Sequence, residues 1–218
     1  MRSCPGTPAG LRIKAVLRII IPAMAVPTLV AQPGGTVTPT GSMTTPRISH
    51  TSTLLPEGNV LIVGGWQANP VPWLVLDSAE LYDISSGTFH ATGKMTSARA
   101  RPTATLLPDG RVLIAGGYAS TPYDPPGSLA SAEVYDPSTG SFTRTGEMAT
   151  GRDGHTATLL ANGKVLMAGG TDPRKPFGDL PSAELYDPTT GTFTATAARP
   201  REAVSVPPVG LNVPLPGS

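Results

Sequence analysis

Thr103–Gly117 reads TATLLPDGRVLIAGG, and this stretch decides the fold. Thr103-Ala104-Thr105-Leu106 is a short run of residues suited to a strand. Pro108-Asp109-Gly110 marks a tight turn, because Asp-Gly supplies the positive φ angles that a two-residue hairpin needs. Val112–Ala115 is a continuous apolar run, the pattern of a strand buried on both faces. It stops at Gly116-Gly117, where a second backbone is expected to approach closely.

The stretch occurs twice more. TSTLLPEGNVLIVGG spans Thr51–Gly65, and TATLLANGKVLMAGG spans Thr156–Gly170, with first strands expected at 50–55 and 155–160. The first glycines of the three pairs, Gly64, Gly116 and Gly169, stand 52 and 53 residues apart. After each pair comes a variable segment, then a third expected strand: Ala79–Tyr82, Ala132–Tyr135 or Ala183–Tyr186. A turn such as Asp136-Pro137-Ser138-Thr139-Gly140 leads to a fourth, at Thr88–Ala91, Ser141–Arg144 or Thr192–Ala195. A period of about 50 residues with four short apolar runs is the signature of propeller blades. The units are 43–94, 95–147 and 148–198, all within residues 36–198.

These units resemble the kelch repeat family in its bacterial form. The residues that carry the likeness are Arg47, Arg99 and Arg152; the pairs Gly64-Gly65, Gly116-Gly117 and Gly169-Gly170; Glu80, Glu133 and Glu184; Tyr82, Tyr135 and Tyr186; and Phe89, Phe142 and Phe193. Pro102 departs from the pattern, standing where the other copies have His50 and His155. The resemblance implies an all-β kelch-type propeller segment. Its three blades are four-stranded, with the first strand innermost and the fourth outermost. It also implies that the loops after the Gly-Gly pairs crowd one face. Thr36–Met43 aligns with Ser141–Met148 and so reads as a lone N-terminal outer strand.

Three blades leave a ring incomplete, because closed propellers have about 4–8 blades. Each bare blade face would be apolar, more than a monomer usually exposes. Three explanations fit: a truncated or frame-shifted gene, self-association of two copies into a ring, or a partner chain or distorted small ring that covers the faces.

Residues 1–31 read as a signal peptide. Arg2, Arg12, Lys14 and Arg18 precede an apolar run broken by Pro22 and Pro27, too short for a comfortable membrane span. Export to the periplasm, the cell surface or the medium is the expectation. Cys4 is the chain's one cysteine, which excludes a disulfide framework. Beyond residue 35 the chain holds 12 basic and 15 acidic residues and no basic stripe, which argues against nucleic acid. Residues 199–218 read as a proline-rich, poorly ordered tail.

The arginines and glutamates recur once in every unit, and a catalytic group is normally unique. They are therefore expected to be structural, with each arginine bonding glutamates or carbonyls between blades, since buried charge must be paired. His50 and His155 are repeat equivalents and are more readily core histidines than metal ligands, because a site needs three or four ligands. No cofactor is expected. Galactose oxidase carries kelch-type blades, but its copper chemistry needs a cysteine cross-linked to tyrosine, and only Cys4 exists here. Sialidase-type boxes, a Gly-x-Ser-x-Gly elbow and a Walker loop are absent from the sequence.

What differs between units is the loop after each Gly-Gly pair. Trp66 and Trp73 fall in the first, Tyr118 and Tyr123 in the second, Arg174 and Phe177 in the third. Such residues are common binding anchors, and loops on a rigid scaffold often carry function. The sequence thus points to an exported, non-catalytic module binding protein or carbohydrate through these six residues. Two other readings remain open. The aromatics could pack within their own loops, or the chain could be a fragment of a galactose-oxidase-like enzyme lacking its active site.

Overall fold

The computed structural model describes residues 37–68, 73–119, 127–175 and 178–196. The leader and the tail lie outside them. The chain divides into a short unit, residues 1–38, and a main unit, residues 39–218. Of the short unit only Val37 and Thr38 are described, and Val37 is fully exposed.

The main unit is all β among its described residues. The first blade holds β1 (Thr51–Leu54), β2 (Val60–Val63), a ribbon of β3 (Trp66–Gln67) and β4 (Leu74–Val75), then β5 (Ser78–Asp83) and β6 (Thr88–Lys94). The second repeats this with β7 (Thr103–Leu106), β8 (Val112–Ala115), β9 (Tyr118–Ala119), β10 (Gly127–Ser128), β11 (Ser131–Asp136) and β12 (Ser141–Glu147). The third has β13 (Thr156–Leu159), β14 (Val165–Ala168), β15 (Ala183–Asp187) and β16 (Thr192–Ala195). Each blade is a four-stranded antiparallel sheet, in the orders β1-β2-β5-β6, β7-β8-β11-β12 and β13-β14-β15-β16. The innermost strands follow one another, with β7 touching both β1 and β13.

The continuous apolar second strand of the middle blade is fully buried because a blade stacks on each of its faces. Leu61 and Val63 of the first blade pack with Val112, Ile114 and Tyr135 of the second. Leu113 and Ala115 then pack with Val165, Met167 and Tyr186 of the third. Leu61 and Leu113 are fully buried, whereas Leu166, their equivalent on the last flank, stays partly exposed. Each blade also carries the same aromatic pair, with ring centroids 4.8 Å apart for Tyr82–Phe89, Tyr135–Phe142 and Tyr186–Phe193.

The Gly-Gly pairs are where backbone meets backbone. Gly117 has φ +96°, and a Cβ there would lie 2.8 Å from the Ala100 carbonyl oxygen. Its N–H donates to Arg152 O of the next blade at 2.9 Å, as Gly65 N–H does to Arg99 O at 2.8 Å.

Two expectations need correction. Residues 37–43 form no strand, because no third strand of their own blade lies beside them among the described residues. They nevertheless keep part of the inter-blade contact. Gly41 N–H donates to Gly87 O at 3.0 Å, and the Thr40 and Tyr82 hydroxyls lie 2.7 Å apart. Equivalent contacts link Gly93 with Gly140 and Thr92 with Tyr135, then Gly146 with Gly191 and Thr145 with Tyr186.

The second correction concerns the arginines, whose side chains act within a blade rather than between blades. Arg47 donates to Gly64 O, Ser78 O and Glu80, all of the blade that it enters. Arg99 does the same with Gly116 O, Ser131 O and Glu133, and Arg152 with Gly169 O, Ser182 O and Glu184. The backbone at these positions makes the bonds between blades. Arg99 accepts from Gly65 and donates to Leu76 O at 3.1 Å. The glutamate also collects the linker's amides, as Glu80 does from Thr44 at 2.7 Å and Thr45 at 3.1 Å. Burial raises the Glu80 pKa, but Arg47 and these amides outweigh it and hold the carboxyl below its ordinary value.

Candidate functional site

The loops after the Gly-Gly pairs are less irregular than expected. Backbone pairing folds the first two into short ribbons, with Trp66 opposite Val75 and Tyr118 opposite Ser128. Each ribbon is also tied to the segment entering its blade. Ile48 and Trp66 exchange two backbone bonds, of 3.0 and 2.9 Å, as do Ala100 and Tyr118, of 2.9 and 2.7 Å. Asp153 and Thr171 repeat the exchange in the third blade, at 3.0 and 2.9 Å. In each blade the start of the loop is therefore hydrogen-bonded to the entry segment.

The loops bring three of the expected anchors together. Trp66 meets Trp73 edge-on at 5.2 Å and Tyr118 at 6.1 Å between ring centroids. Trp66 and Tyr118 are half-buried, while Trp73 is 58% exposed. The aromatics thus pack partly on one another, as the alternative reading had it, yet leave a free edge. Ile48, paired directly with Trp66, is 52% exposed. Exposed apolar side chains gathered around a rigid aromatic are characteristic of interaction surfaces.

A cleft of about 250 Å³ opens beside this cluster, lined by Trp66, Arg101, Tyr118, Asp153, Thr171, Pro173 and Gly178. Arg101 and Asp153 did not stand out in the sequence. The Arg101 guanidinium lies 5.7 Å from the centre of a Trp66 ring, and one of its nitrogens is 3.5 Å from Asp153 Oδ1. Asp153 is buried and accepts from Ser128 Oγ at 2.8 Å and Thr171 Oγ1 at 3.3 Å. Trp66 Nε1 is buried and has no acceptor among the described residues.

The backbone at Arg101 is common to all three blades, and only the side chain sets it apart. Its φ is +52°, in the left-handed region that side chains disfavour. Ser49 holds the same repeat position with φ +54°, and Gly154 holds it in the third blade with φ +62°. The turn needs this conformation in every blade, and only the second blade uses it to carry a long cation over the cleft. One sequence signal existed: Arg101 is an unrepeated arginine at a place where the other units have Ser49 and Gly154.

Arg174 is placed differently from the aromatics. It donates to Asp172 Oδ1 at 2.9 Å and to Ser128 O at 2.6 Å, tying the third loop to the second ribbon. Burial raises the Asp172 pKa, but the bonds from Arg174 outweigh it and leave the carboxyl below its ordinary value. Tyr123 and Phe177 lie outside the described residues. His155 sits on the inner side, its Nε2 3.0 Å from Thr103 Oγ1. Burial, and then the nearby Arg152, push its pKa down to about 4, so it stays neutral near pH 7. Among the described residues no three of His, Cys, Asp and Glu converge as metal ligands.

Comparison with known proteins agrees with this geometry. The Kelch motif family model matches residues 99–149, the middle unit. No curated protein matches the chain. Among solved structures, YjhT superposes with a TM-score of 0.58 at 16% sequence identity, over 75% of this chain. The chain spans 54% of the length of YjhT, so the likeness concerns part of that structure and shows the fold alone.

Proposed function

We propose that the chain, whose middle unit matches the Kelch motif and whose sheets repeat as consecutive blades, is an exported, non-catalytic binding module whose loop face takes a protein ligand. The observation that carries this reading is the Trp66 cluster. A half-buried indole is fixed by backbone bonds to Ile48, which is itself exposed, and it packs edge-on against exposed Trp73. Aliphatic side chains beside aromatic ones favour apolar side chains of a polypeptide, and a loop start pinned by backbone bonds lowers the cost of ordering on binding.

Two features support a non-catalytic role. The buried charges of the blades are consumed in Arg47–Glu80, Arg99–Glu133 and Arg152–Glu184. Asp153, the acid nearest the cleft, is engaged by Ser128, Thr171 and Arg101. Export rests on the basic-then-apolar composition of residues 1–31. It places the module in the periplasm, at the cell surface or outside the cell.

A carbohydrate ligand is the second reading. It is favoured by the aromatic walls that Trp66 and Tyr118 give to the cleft. Peptide and glycan arrays probed with the wild type and with Trp73→Ala test both. Peptide spots that lose signal with Trp73→Ala, but keep it with the distant turn variant Ile84→Ser, support the protein reading. Glycan spots with that pattern support the second. Array binding indifferent to Trp73, or none at all, refutes a binding role for this face.

A further inference from the structure

The boundary between consecutive blades is built twice within the chain, and its two halves recur, unpaired, on the outer flanks. At the inner boundaries the Gly-Gly pair of one blade donates to the arginine that enters the next, Gly65 N–H to Arg99 O at 2.8 Å and Gly117 N–H to Arg152 O at 2.9 Å. The arginine N–H returns to Leu76 O or Leu129 O, both at 3.1 Å. The methionine ahead of it, Met95 or Met148, donates to Asp77 O or Ala130 O at 2.9 Å. On the third blade the same places are held by Gly170 N–H and the carbonyls of Leu180 and Pro181. On the first blade they are held by the N–H and C=O of Arg47 and the N–H of Met43. These groups make no backbone hydrogen bond among the described residues.

The side chains of the two flanks match in the same way. At the inner boundaries Leu61 or Leu113, on the trailing face of one blade, meets the valine and tyrosine on the leading face of the next, Val112 and Tyr135 or Val165 and Tyr186. Those two tyrosines are at most 2% exposed. Their counterpart Tyr82 stays partly exposed on the first blade, as does Val60, and so do Leu166, Ala168 and Ala183 on the third blade's trailing face. A hollow of about 640 Å³ lies over the first blade's leading face, lined by Met43, His50, Val60, Ile62, Tyr82 and Phe89. His50 has a counterpart whose partner is seen. His155 Nε2 lies 3.0 Å from Thr103 Oγ1 of the blade before, and Thr156 is the equivalent of Thr103 on the third blade.

We propose that a second copy of this chain covers both flanks, the third blade of each copy stacking on the first blade of the other about a two-fold axis. Contacts between unlike faces make rings when the rotation closes. Two copies bring six blades, within the range of about 4–8 at which propellers close, whereas three copies would bring nine. The repeat sets the register: Gly170 N–H to Arg47 O, Arg47 N–H to Leu180 O, Met43 N–H to Pro181 O, and His50 against Thr156. The outer edge agrees with it. Thr40 and Gly41 already sit on Tyr82 and Gly87, as Thr92 and Gly93 sit on Tyr135 and Gly140. A Cβ on Gly93 or Gly146 would strike the carbonyl oxygen of Gly140 or Gly191, and the third unit has Ala197 at that place. The crossing segment at the new boundary therefore comes from the copy whose first blade is covered. Apolar faces larger than a monomer usually exposes are removed from water at both boundaries.

Sedimentation equilibrium over a range of concentrations, on the whole chain of 22.3 kDa, reads the assembly. The expected species has twice that mass and falls to the single chain on dilution. Val60→Asp on the leading face and Leu166→Asp on the trailing face each place a charge in the contact, at positions partly exposed in the single chain. Each variant alone should be monomeric, with the circular dichroism of the wild type. Should one of them unfold, the other carries the test, and the wild-type mass stands without either. A wild-type monomer at every concentration overturns the proposal and leaves the flanks to further blades of a longer chain or to a different protein. Dimers that survive both aspartates overturn it by placing the contact elsewhere, the apolar run of residues 19–31 included. A monomer from only one of two folded variants shows that like faces pair, and masses above the dimer show that the faces join without closing; either result refutes the ring.

Discussion

Arg99 Nη2 stands 3.0 Å from Glu133 Oε1, and both side chains are wholly shielded from solvent. The pair is the middle member of a set that recurs as Arg47–Glu80 and Arg152–Glu184. It fastens the segment that enters a blade to that blade's third strand. Burial pulls the Arg99 pKa down, and Glu133 opposes the shift. Arg99→Ala strands a carboxylate in the interior. The expected cost is about 3–5 kcal/mol, the usual result of breaking a buried pair from one side. The exposed contact of Lys94 with Asp77, at 3.9 Å, serves as control, and Lys94→Ala should stay within about 0.5 kcal/mol. Urea denaturation followed by far-ultraviolet circular dichroism measures both.

The glycines separate close approach from backbone conformation. Gly117 and Gly154 both have positive φ, at +96° and +62°. A Cβ on Gly117 meets Ala100 O at 2.8 Å, whereas a Cβ on Gly154 meets nothing within 4 Å. Gly154→Ala should therefore cost about 1–2 kcal/mol, the strain of a left-handed alanine alone. Gly117→Ala adds a clash with rigid backbone and should cost clearly more. Thermal melts of the two variants rank them, and equal losses would show that the glycine pair is not a contact point between backbones.

His155 links stability to pH. Its folded pKa is about 4 against 6.5 ordinarily, so the unfolded chain binds more protons between those values. Stability from this residue is full above pH 6.5 and is lost as pH falls towards 4, by at most about 3 kcal/mol. Below that window Glu80 takes over. Glu80, held under its ordinary 4.5, releases its contribution as pH falls through its folded pKa. His155→Gln should flatten the slope between pH 6.5 and 4 and leave the loss from Glu80 below it. Denaturation midpoints at half-unit pH steps give the comparison.

Trp66 and Trp73 should respond differently to truncation. Trp73 is 58% exposed, so Trp73→Ala should change stability little while weakening ligand capture. Trp66 is half-buried and packs on both Trp73 and Tyr118, so Trp66→Ala should cost stability as well as binding. Paired melts and array signals for the two variants separate the roles.

The blades were legible because their chemistry repeats. Val112–Ala115 and its two counterparts announce buried strands, and the Gly-Gly pairs mark where those strands end. The second strands match their expected ranges and Thr88–Lys94 extends Thr88–Ala91, while the first strands are shorter than expected, Thr51–Leu54 against 50–55 and Thr156–Leu159 against 155–160. The loop ribbons were not legible. Trp66–Gln67 is held by Leu74–Val75 and, through Trp66, by Ile48 of the entry segment, and such pairing leaves no periodic trace in two residues. The site was half legible for the same reason. Trp66, Trp73 and Tyr118 declare themselves by residue type, but Arg101 and Asp153 gain meaning only when neighbouring blades place them 3.5 Å apart. The direction of the Arg99 and Arg152 side chains was also hidden, because repetition shows that two residues belong together without showing on which side of a blade boundary they meet.

The central claim, that the loop face is the binding surface, is tested most directly by hydrogen–deuterium exchange on the chain with and without an array-identified ligand. Protection is predicted at the Gly-Gly ends of the blades, over residues 64–67, 73–76, 100–101, 117–119, 127–129 and 171–175. Protection at the opposite ends of the strands, over 56–59, 108–111 and 161–164, with the loop face unchanged, would contradict it.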